Sequence, residues 1–391
     1  MDKQLDKFLE KNLEEIITLD EFKNKLKTKK QLRIKYGVDV TNPMLHLGHA
    51  VNLWKMRELQ EMGHKVVFLI GDFTSLIGDP TGKSKTRPQR TKDQIESDAK
   101  EYQKQVSKIL LTDKKVFEVR RNSQWFGKMK VEEFLSILSM VTHAKLIQRD
   151  MFQKRIKEGE EIYMHEMLYP LLQGYDSVVL ESDLTIIGSD QLFNEMMGRF
   201  YQEKFGQEPQ VIMTTTITPG LDGKEKMSKS LGNFVALTDS PKEKFGKIMS
   251  IPDDLIFQYL KVYTDLDSEK IKELESKVKK GDNPRDAKVV LAYEVVKKYH
   301  GEDDAEKEKN NFTDVFSKGG VPDKMPEYKL KSKETVIDVL LNSKLVASKS
   351  DARRAIEQGG VSIDGEKVTN INAVATPGIL KKGKRHFIKI K

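Results

Sequence analysis

The sequence predicts an α/β protein: a doubly wound parallel sheet of the Rossmann type, then a helical domain, then a small α+β domain. Three observations carry that expectation. Residues 32–70 run from an extended stretch through a helical one to a continuous apolar run, which is a βαβ unit. Residues 180–187 and 211–216 are further apolar runs, as strands buried on both faces of a parallel sheet require. Residues 318–326 form a Gly/Pro-rich linker. The expected boundaries are 1–235 for the sheet domain, 236–326 for the helical domain with its linker, and 331–391 for the last domain.

The elements follow in order. Residues 32–40 read as a strand broken by Thr41-Asn42-Pro43, and residues 46–61 as a helix with Val51, Trp54, Met56 and Leu59 apolar, ended by Gly63-His64. Residues 66–70 form the second strand. After Gly71-Asp72 comes a polar loop, 78–85, rich in Gly and Lys. Residues 94–175 alternate charged and apolar at helical spacing. The strands at 180–187 and 211–216 follow, the first leading into Gly188-Ser189-Asp190-Gln191, and then a turn at 220–223. Residues 242–316 are mainly helical and strongly charged. Beyond the linker come helices at 335–342 and 350–357, and a hairpin signal over 361–368 with Asp364-Gly365 at its turn.

Composition bounds the chemistry. The 391 residues include no cysteine, which removes a disulfide framework, a thiolate metal site and a cysteine nucleophile. That absence fits a reducing cytosol, the expected location. No stretch approaches the roughly 18 uncharged apolar residues of a membrane span, and the acidic first turns are unlike a signal peptide. Lys and Arg number 68 against 60 Asp and Glu, a net of +8. Residues 332–391 hold 12 Lys/Arg against 6 Asp/Glu, so +6 of that excess sits in the last domain, as a nucleic-acid partner or a solvated Lys-rich surface would require.

Two short motifs point to chemistry. His46-Leu47-Gly48-His49 lies where the first strand passes into its helix, and Lys226-Met227-Ser228-Lys229-Ser230 follows a glycine turn 177 residues after His49. Either alone is weak: an HxGH tetrapeptide is often only a capped helix start, and a Lys-rich pentapeptide a solvated loop. Together, in this order and in an α/β chain, they resemble the two signatures of class I aminoacyl-tRNA synthetases. Activating a carboxylate with ATP calls for positioning and for stabilising charge on phosphate oxygens. Gly48 permits close approach of the nucleotide, the helix N-terminus offers amide donors, the imidazoles of His46 and His49 can donate, and Lys226 and Lys229 can reach the departing pyrophosphate.

Further stretches resemble the bacterial tyrosyl-tRNA synthetases over nearly the whole chain: Gly37-Val38-Asp39, 71–80, 169–176 and 188–191. Tyr169, Gln173 and Asp176 fall at i, i+4 and i+7, one face of a helix. The resemblance implies that Tyr169, Gln173 and Asp79 bind the α-ammonium of L-tyrosine and that Asp176 accepts a hydrogen bond from its phenol. It implies contacts to ATP from Thr41, His46, His49, Gly48, Gly188, Asp190 and Lys229, loop cations at Lys83 and Arg87, and tyrosine contacts at Gly37, Asp39 and Gln191. It also implies magnesium with ATP, tRNA(Tyr) as partner, a homodimer and no membrane. The other histidines, at 64, 143, 165, 300 and 386, have no metal spacing, so no protein-built metal site is expected.

Two positions depart from the family pattern. Lys35 stands where many members carry a tyrosine that shares the phenol hydroxyl, and strand alternation puts Tyr36 on the opposite face. Ile187 stands where the family often has the first of two glycines, which predicts tighter packing. Residues 334–391 resemble a small RNA-binding domain shared by a ribosomal protein and many tyrosyl enzymes. Lys349, Arg353 and Arg354 fall on the first turns of one helix, placed for phosphate contacts. A related nucleotidyltransferase and a non-catalytic RNA-binding derivative are the rival readings. The basic tail opposes the first, and the intact His46, His49, Lys226, Lys229, Asp79 and Asp176 oppose the second.

Overall fold

The structure, a computed structural model, describes residues 2–40, 44–78, 91–229, 231–317, 325–331, 333–346, 348–383 and 386–391. It divides into two compact units, Met1–Ala305 and Glu306–Lys391.

The first unit is built on a six-stranded sheet: β1 (Leu13–Ile17), β2 (Arg33–Val38), β3 (Lys65–Ile70), β4 (Phe117–Arg121), β5 (Leu184–Gly188) and β6 (Val211–Thr215). The spatial order is β1-β6-β5-β2-β3-β4. Five strands are parallel, and β1 closes one edge antiparallel to β6. Ile34 of β2 pairs with Val66 on one side and Leu184 on the other. β3, β5 and β6 are buried almost throughout, as their apolar runs required. The chain leaves β2 toward β3 and returns on its other side as β5. The strand order therefore reverses at β2, and the crevice beyond the C-terminal ends of β2 and β5 is where such sheets bind ligands. Gly37-Val38-Asp39 and Gly188-Ser189-Asp190-Gln191 occupy those two ends.

Three strands of this sheet differ from the sequence reading. β1 and β4 are additional strands, both at sheet edges. The strand expected from residue 180 starts at Leu184, because Leu180 closes the preceding helix, Met164–Val179. That helix packs closely on Leu192–Lys204. A Cβ at Gly174 would lie 2.9 Å from the Met197 carbonyl carbon, and one at Gly198 would lie 2.6 Å from Ser177 Oγ. Only glycines allow this approach.

The helices of residues 241–300 share the first unit's core: Trp54 Nε1 donates to Tyr299 Oη at 3.1 Å and Tyr259 Oη to the Pro219 carbonyl at 2.7 Å. The second unit carries the sheet β7-β11-β10-β8-β9 (Glu327–Tyr328, His386–Ile390, Gly378–Lys382, Val361–Ile363, Glu366–Lys367). The helices Val336–Asn342 and Lys349–Glu357 pack on it through Leu340, Ala352, Ile356, Leu380 and Ile388. The hairpin turn is at Asp364-Gly365, both at positive φ, as its sequence predicted. Among the described residues no helix is long and apolar enough to cross a membrane.

Candidate functional site

The first motif caps the helix Leu47–Glu61. His46 is its extended N-cap, and its backbone N–H donates to His49 Nδ1 at 3.3 Å. The neutral His49 ring therefore carries its proton on Nε2, as a donor. The two rings lie 3.8 Å apart. A Cβ at Gly48 would lie 3.1 Å from the His46 ring, so glycine also serves to seat that imidazole on the first turn. Burial, then His49 and Lys229, pushes the His46 imidazole down to about 2, and burial with Lys229 and Lys226 pushes His49 down to about 3. Both rings are uncharged near neutrality and act as hydrogen-bonding groups. Among the described residues His46 Nδ1 is buried with no hydrogen-bond partner, against the backbone of Gly48.

The second motif is brought to the first by backbone pairing. Leu47 N–H donates to the Val235 carbonyl at 3.0 Å, Leu237 N–H to Leu45 at 2.9 Å, and His46 bridges Ala236. Two first-turn amides are used inside the protein, that of Leu47 here and that of His49, which donates to the His46 carbonyl at 3.0 Å. Asn233 shapes the loop: its Oδ1 accepts from Ser228 N–H at 2.8 Å and its Nδ2 donates to Asp222 at 3.1 Å. Lys226 Nζ sits 3.1 Å from Asp190 Oδ2, joining the loop to the end of β5. Lys229 lies 5.6 Å from the Tyr102 ring centroid, and its charge bears on both imidazoles.

The polar face of Met164–Val179 lies across the same crevice. Tyr169 Oη donates to Asp39 Oδ2 at 3.0 Å, and Asp39 Oδ1 accepts from Thr74 Oγ1 at 2.9 Å. Gln173 Nε2 donates to Glu195 Oε1 at 2.8 Å. Asn194 Nδ2 donates to Gln173 Oε1 at 2.9 Å and to Gln191 Oε1 at 3.0 Å. Asp176 is buried, with Trp125 Nε1 donating to Oδ1 at 2.9 Å and Asn122 Nδ2 to Oδ2 at 3.4 Å. Burial pushes its carboxyl up to about 8 against the pull of Lys35, Asn122 and Trp125.

The structure therefore brings together His46, Gly48, His49, Lys226, Lys229 and Asp190 at one end, and Asp39, Tyr169, Gln173, Gln191 and Asp176 at the other. Gly37 is exposed near the end of β2, where among the described residues an added Cβ would meet only Leu69 Cδ2, at 3.7 Å. Gly188 lies tight against Asp190, whose Oδ1 would be 2.9 Å from a Cβ. Thr41, Asp79, Lys83 and Arg87 lie outside the described residues. In the second unit Lys349, Arg353 and Arg354 are together on one helix: Lys349 is 3.2 Å from Asp338, Arg354 pairs with Asp351, and Arg353 is exposed. Sequence reasoning missed Asn122, Trp125, Thr74, Asn194, Glu195 and Asn233. No periodicity marks them, since each acts on a residue distant in the chain or in a loop.

Residues 27–317 match the family described as tRNA synthetases class I (W and Y), and residues 318–390 match the tyrosine–tRNA ligase SYY-like C-terminal domain. The tyrosine–tRNA ligase of Thermotoga maritima is 47% identical over 388 residues, covering 98% of this chain and 96% of that protein. That of Oleidesulfovibrio alaskensis is 44% identical over 395 residues, covering 100% and 99%. Among solved structures, tyrosyl-tRNA synthetase from Archaeoglobus fulgidus complexed with L-tyrosine superposes with a TM-score of 0.61 at 24% identity, over 79% of this chain and 99% of that one, which supports the fold. The chain belongs to the class I tRNA synthetases of the tryptophan and tyrosine type, as a tyrosine–tRNA ligase that activates tyrosine with ATP and joins it to its tRNA.

Proposed function

We propose the following division of labour for the two-step reaction. Tyrosine lies with its phenol on Asp176 and its ammonium group toward Tyr169, Gln173 and Asp79, with Asp39 and Gln191 beside them. Gly37 lies beside the tyrosine, and ATP lies over Gly48 and Gly188, with Asp190 on its ribose side. The tyrosine carboxylate attacks the α-phosphorus in line, and pyrophosphate leaves. His46 and His49 donate neutral hydrogen bonds to the phosphates. Lys226 and Lys229 take up charge on the departing group, joined by Thr41, Lys83 and Arg87. The observation that carries this reading is Asp176: a buried carboxylate aimed by Trp125 and Asn122 on the helix face that also bears Tyr169 and Gln173. An acceptor buried there gains a hydroxyl donor from tyrosine and none from phenylalanine. Tyrosine-dependent exchange of pyrophosphate into ATP tests it; equal exchange with phenylalanine would overturn the assignment of Asp176. Magnesium enters with ATP on its phosphates; among the described residues no cluster of three or more His, Asp or Glu could hold a metal.

Residues 1–235 are the catalytic domain in this reading, 236–326 the anticodon-side helical domain with its linker, and 331–391 the RNA-binding domain. Lys349, Arg353 and Arg354 contact phosphate. Deleting residues 325–391 places the cut before β7, which pairs with β11 in the second sheet. The truncated enzyme is expected to form tyrosyl-adenylate at nearly the full rate. Its charging of tRNA falls through weaker binding, and the salt dependence of binding flattens as phosphate contacts are lost. Loss of adenylate formation in a folded truncation would refute this division.

The enzyme works in the cytoplasm as a homodimer. Val131 (70% exposed), Leu135 and Ile156 stand on the outer faces of helices Val131–Ser139 and Asp150–Lys157, with Met164 at the start of the next. Their inner faces share one core around Ile137, Phe152, Met167 and Leu171. Apolar side chains exposed on neighbouring helices suit a second copy. Val131→Glu with Leu135→Glu is expected to convert the dimer to monomer in sedimentation; an unchanged dimer would place the interface elsewhere.

A further inference from the structure

The departure at Lys35 has a partner inside the protein. Lys35 Nζ lies 2.8 Å from Glu195 Oε2, with the two side chains 2% and 3% exposed. Lys35 also donates to Ser177 Oγ at 2.7 Å, on the residue after Asp176. Glu195 spends its other oxygen on Gln173 Nε2 at 2.8 Å, while Gln210 Nε2 donates to Oε2 at 2.7 Å. A buried pair of this kind contributes little to stability compared with apolar residues of the same volume, yet removing one member leaves a charge unpaired. Its geometry instead fixes direction. A carboxamide has distinct donor and acceptor ends. With Glu195 accepting at Nε2 and Asn194 donating to Oε1, Gln173 has one orientation only, and Oε1 keeps a second lone pair for a further donor.

We propose that the Lys35–Glu195 ion pair is the positioning device of the tyrosine site, in which Glu195 locks the Gln173 carboxamide and Lys35 holds the helical turn that bears Asp176. This rests on the reading above that Gln173 and Asp176 receive tyrosine. Among the described residues two charged groups bear on Asp176, Lys35 from β2 and Glu195 from the Leu192–Lys204 helix. Its other partners among the described residues, Asn122 and Trp125, are neutral donors at the N-cap of the short helix Ser123–Phe126 and within it. The pair members act on the carboxylate with opposite sign, Lys35 favouring the charged form and Glu195 opposing it.

The test uses the full-length enzyme in pyrophosphate exchange with Lys35→Met, Glu195→Gln and the double variant. The double variant leaves no unpaired buried charge, so it decides the matter even where a single variant fails to fold. Its KM for tyrosine is expected to rise about tenfold, the cost of one misdirected hydrogen bond, with the KM for ATP unchanged. In the single variants the acid limb of kcat/KM for tyrosine moves to higher pH without Lys35 and to lower pH without the Glu195 charge. A purely structural role moves both in the same direction or neither. A folded double variant with the wild-type KM for tyrosine overturns the proposal, as do limbs that move together. Gln173→Ala is the control. If it raises the KM for tyrosine while the double variant does not, the positioning role fails; if it too leaves the KM unchanged, the placement of tyrosine fails, and the proposal with it.

Discussion

Replacing Lys229 by alanine is expected to slow tyrosyl-adenylate formation by about 10²–10³, the usual cost of removing one preorganised group from a developing oxyanion, while tyrosine binding stays near wild type. The charge of Lys229 bears on both His46 and His49, so it faces the first helical turn where the phosphates are placed. Its loop is held there by Asn233 and by backbone pairing of residues 235–237 with 45–47. The tyrosine face of Met164–Val179 makes its hydrogen bonds to Asp39, Glu195, Asn194, Asn122 and Trp125, none of them on that loop. An interaction made mainly as negative charge moves onto pyrophosphate lowers the rate and spares ground-state affinity. Single-turnover measurement of adenylate formation, beside equilibrium tyrosine binding, separates the two. A normal rate with lost tyrosine affinity would remove Lys229 from the phosphate end.

What could be read from the sequence was local. The βαβ unit, the two motifs and the Tyr169–Gln173–Asp176 face depend on spacing within one or two elements, and all appear where spacing put them. The edge strands were not legible. β1 reads LEEII and β4 FEVRR, and charged residues on an edge strand are what protects it from pairing with other chains. Their hydrophobic signal is diluted for the same physical reason that they are edges. The strand start at 180 was misread because Leu180 is buried as a helix cap, and burial looks the same from either element. In the site, Lys35 was visible as a departure, but its meaning depends on Glu195, 160 residues away. Nothing in either local sequence announces the other. Asn122 and Trp125 reach Asp176 in the same long-range way. Polar residues that orient other residues are chosen by the folded geometry, and periodicity does not record them.

Asp176→Asn is expected to lose tyrosine-over-phenylalanine preference and, under the right conditions, to stabilise the fold. Removing the buried acceptor for the phenol lowers kcat/KM for tyrosine by about 10–100-fold, the 1–3 kcal/mol of a lost buried hydrogen bond, and leaves phenylalanine nearly unaffected. The stability effect has a definite sign. Asp176 has a folded-state value of about 8, above its ordinary 3.8, because burial penalises the charged form. Between those values the folded state binds more protons than the unfolded state, so stability falls as pH rises. The stabilising share is complete below the ordinary carboxylate range and is lost by the time pH passes about 8. Asparagine resembles the protonated acid and does not titrate. Its Oδ1 can keep the Trp125 bond, while its Nδ2 meets the Asn122 amide at a cost that does not vary with pH. The difference in thermal midpoint, variant minus wild type, should therefore grow from pH 4 to pH 8. Parallel melting curves across that range, with tyrosine and phenylalanine exchange rates measured on the same preparations, test both halves. A midpoint difference that is flat with pH would mean that Asp176 is ionised as readily folded as unfolded. Retained discrimination would mean that another group receives the phenol.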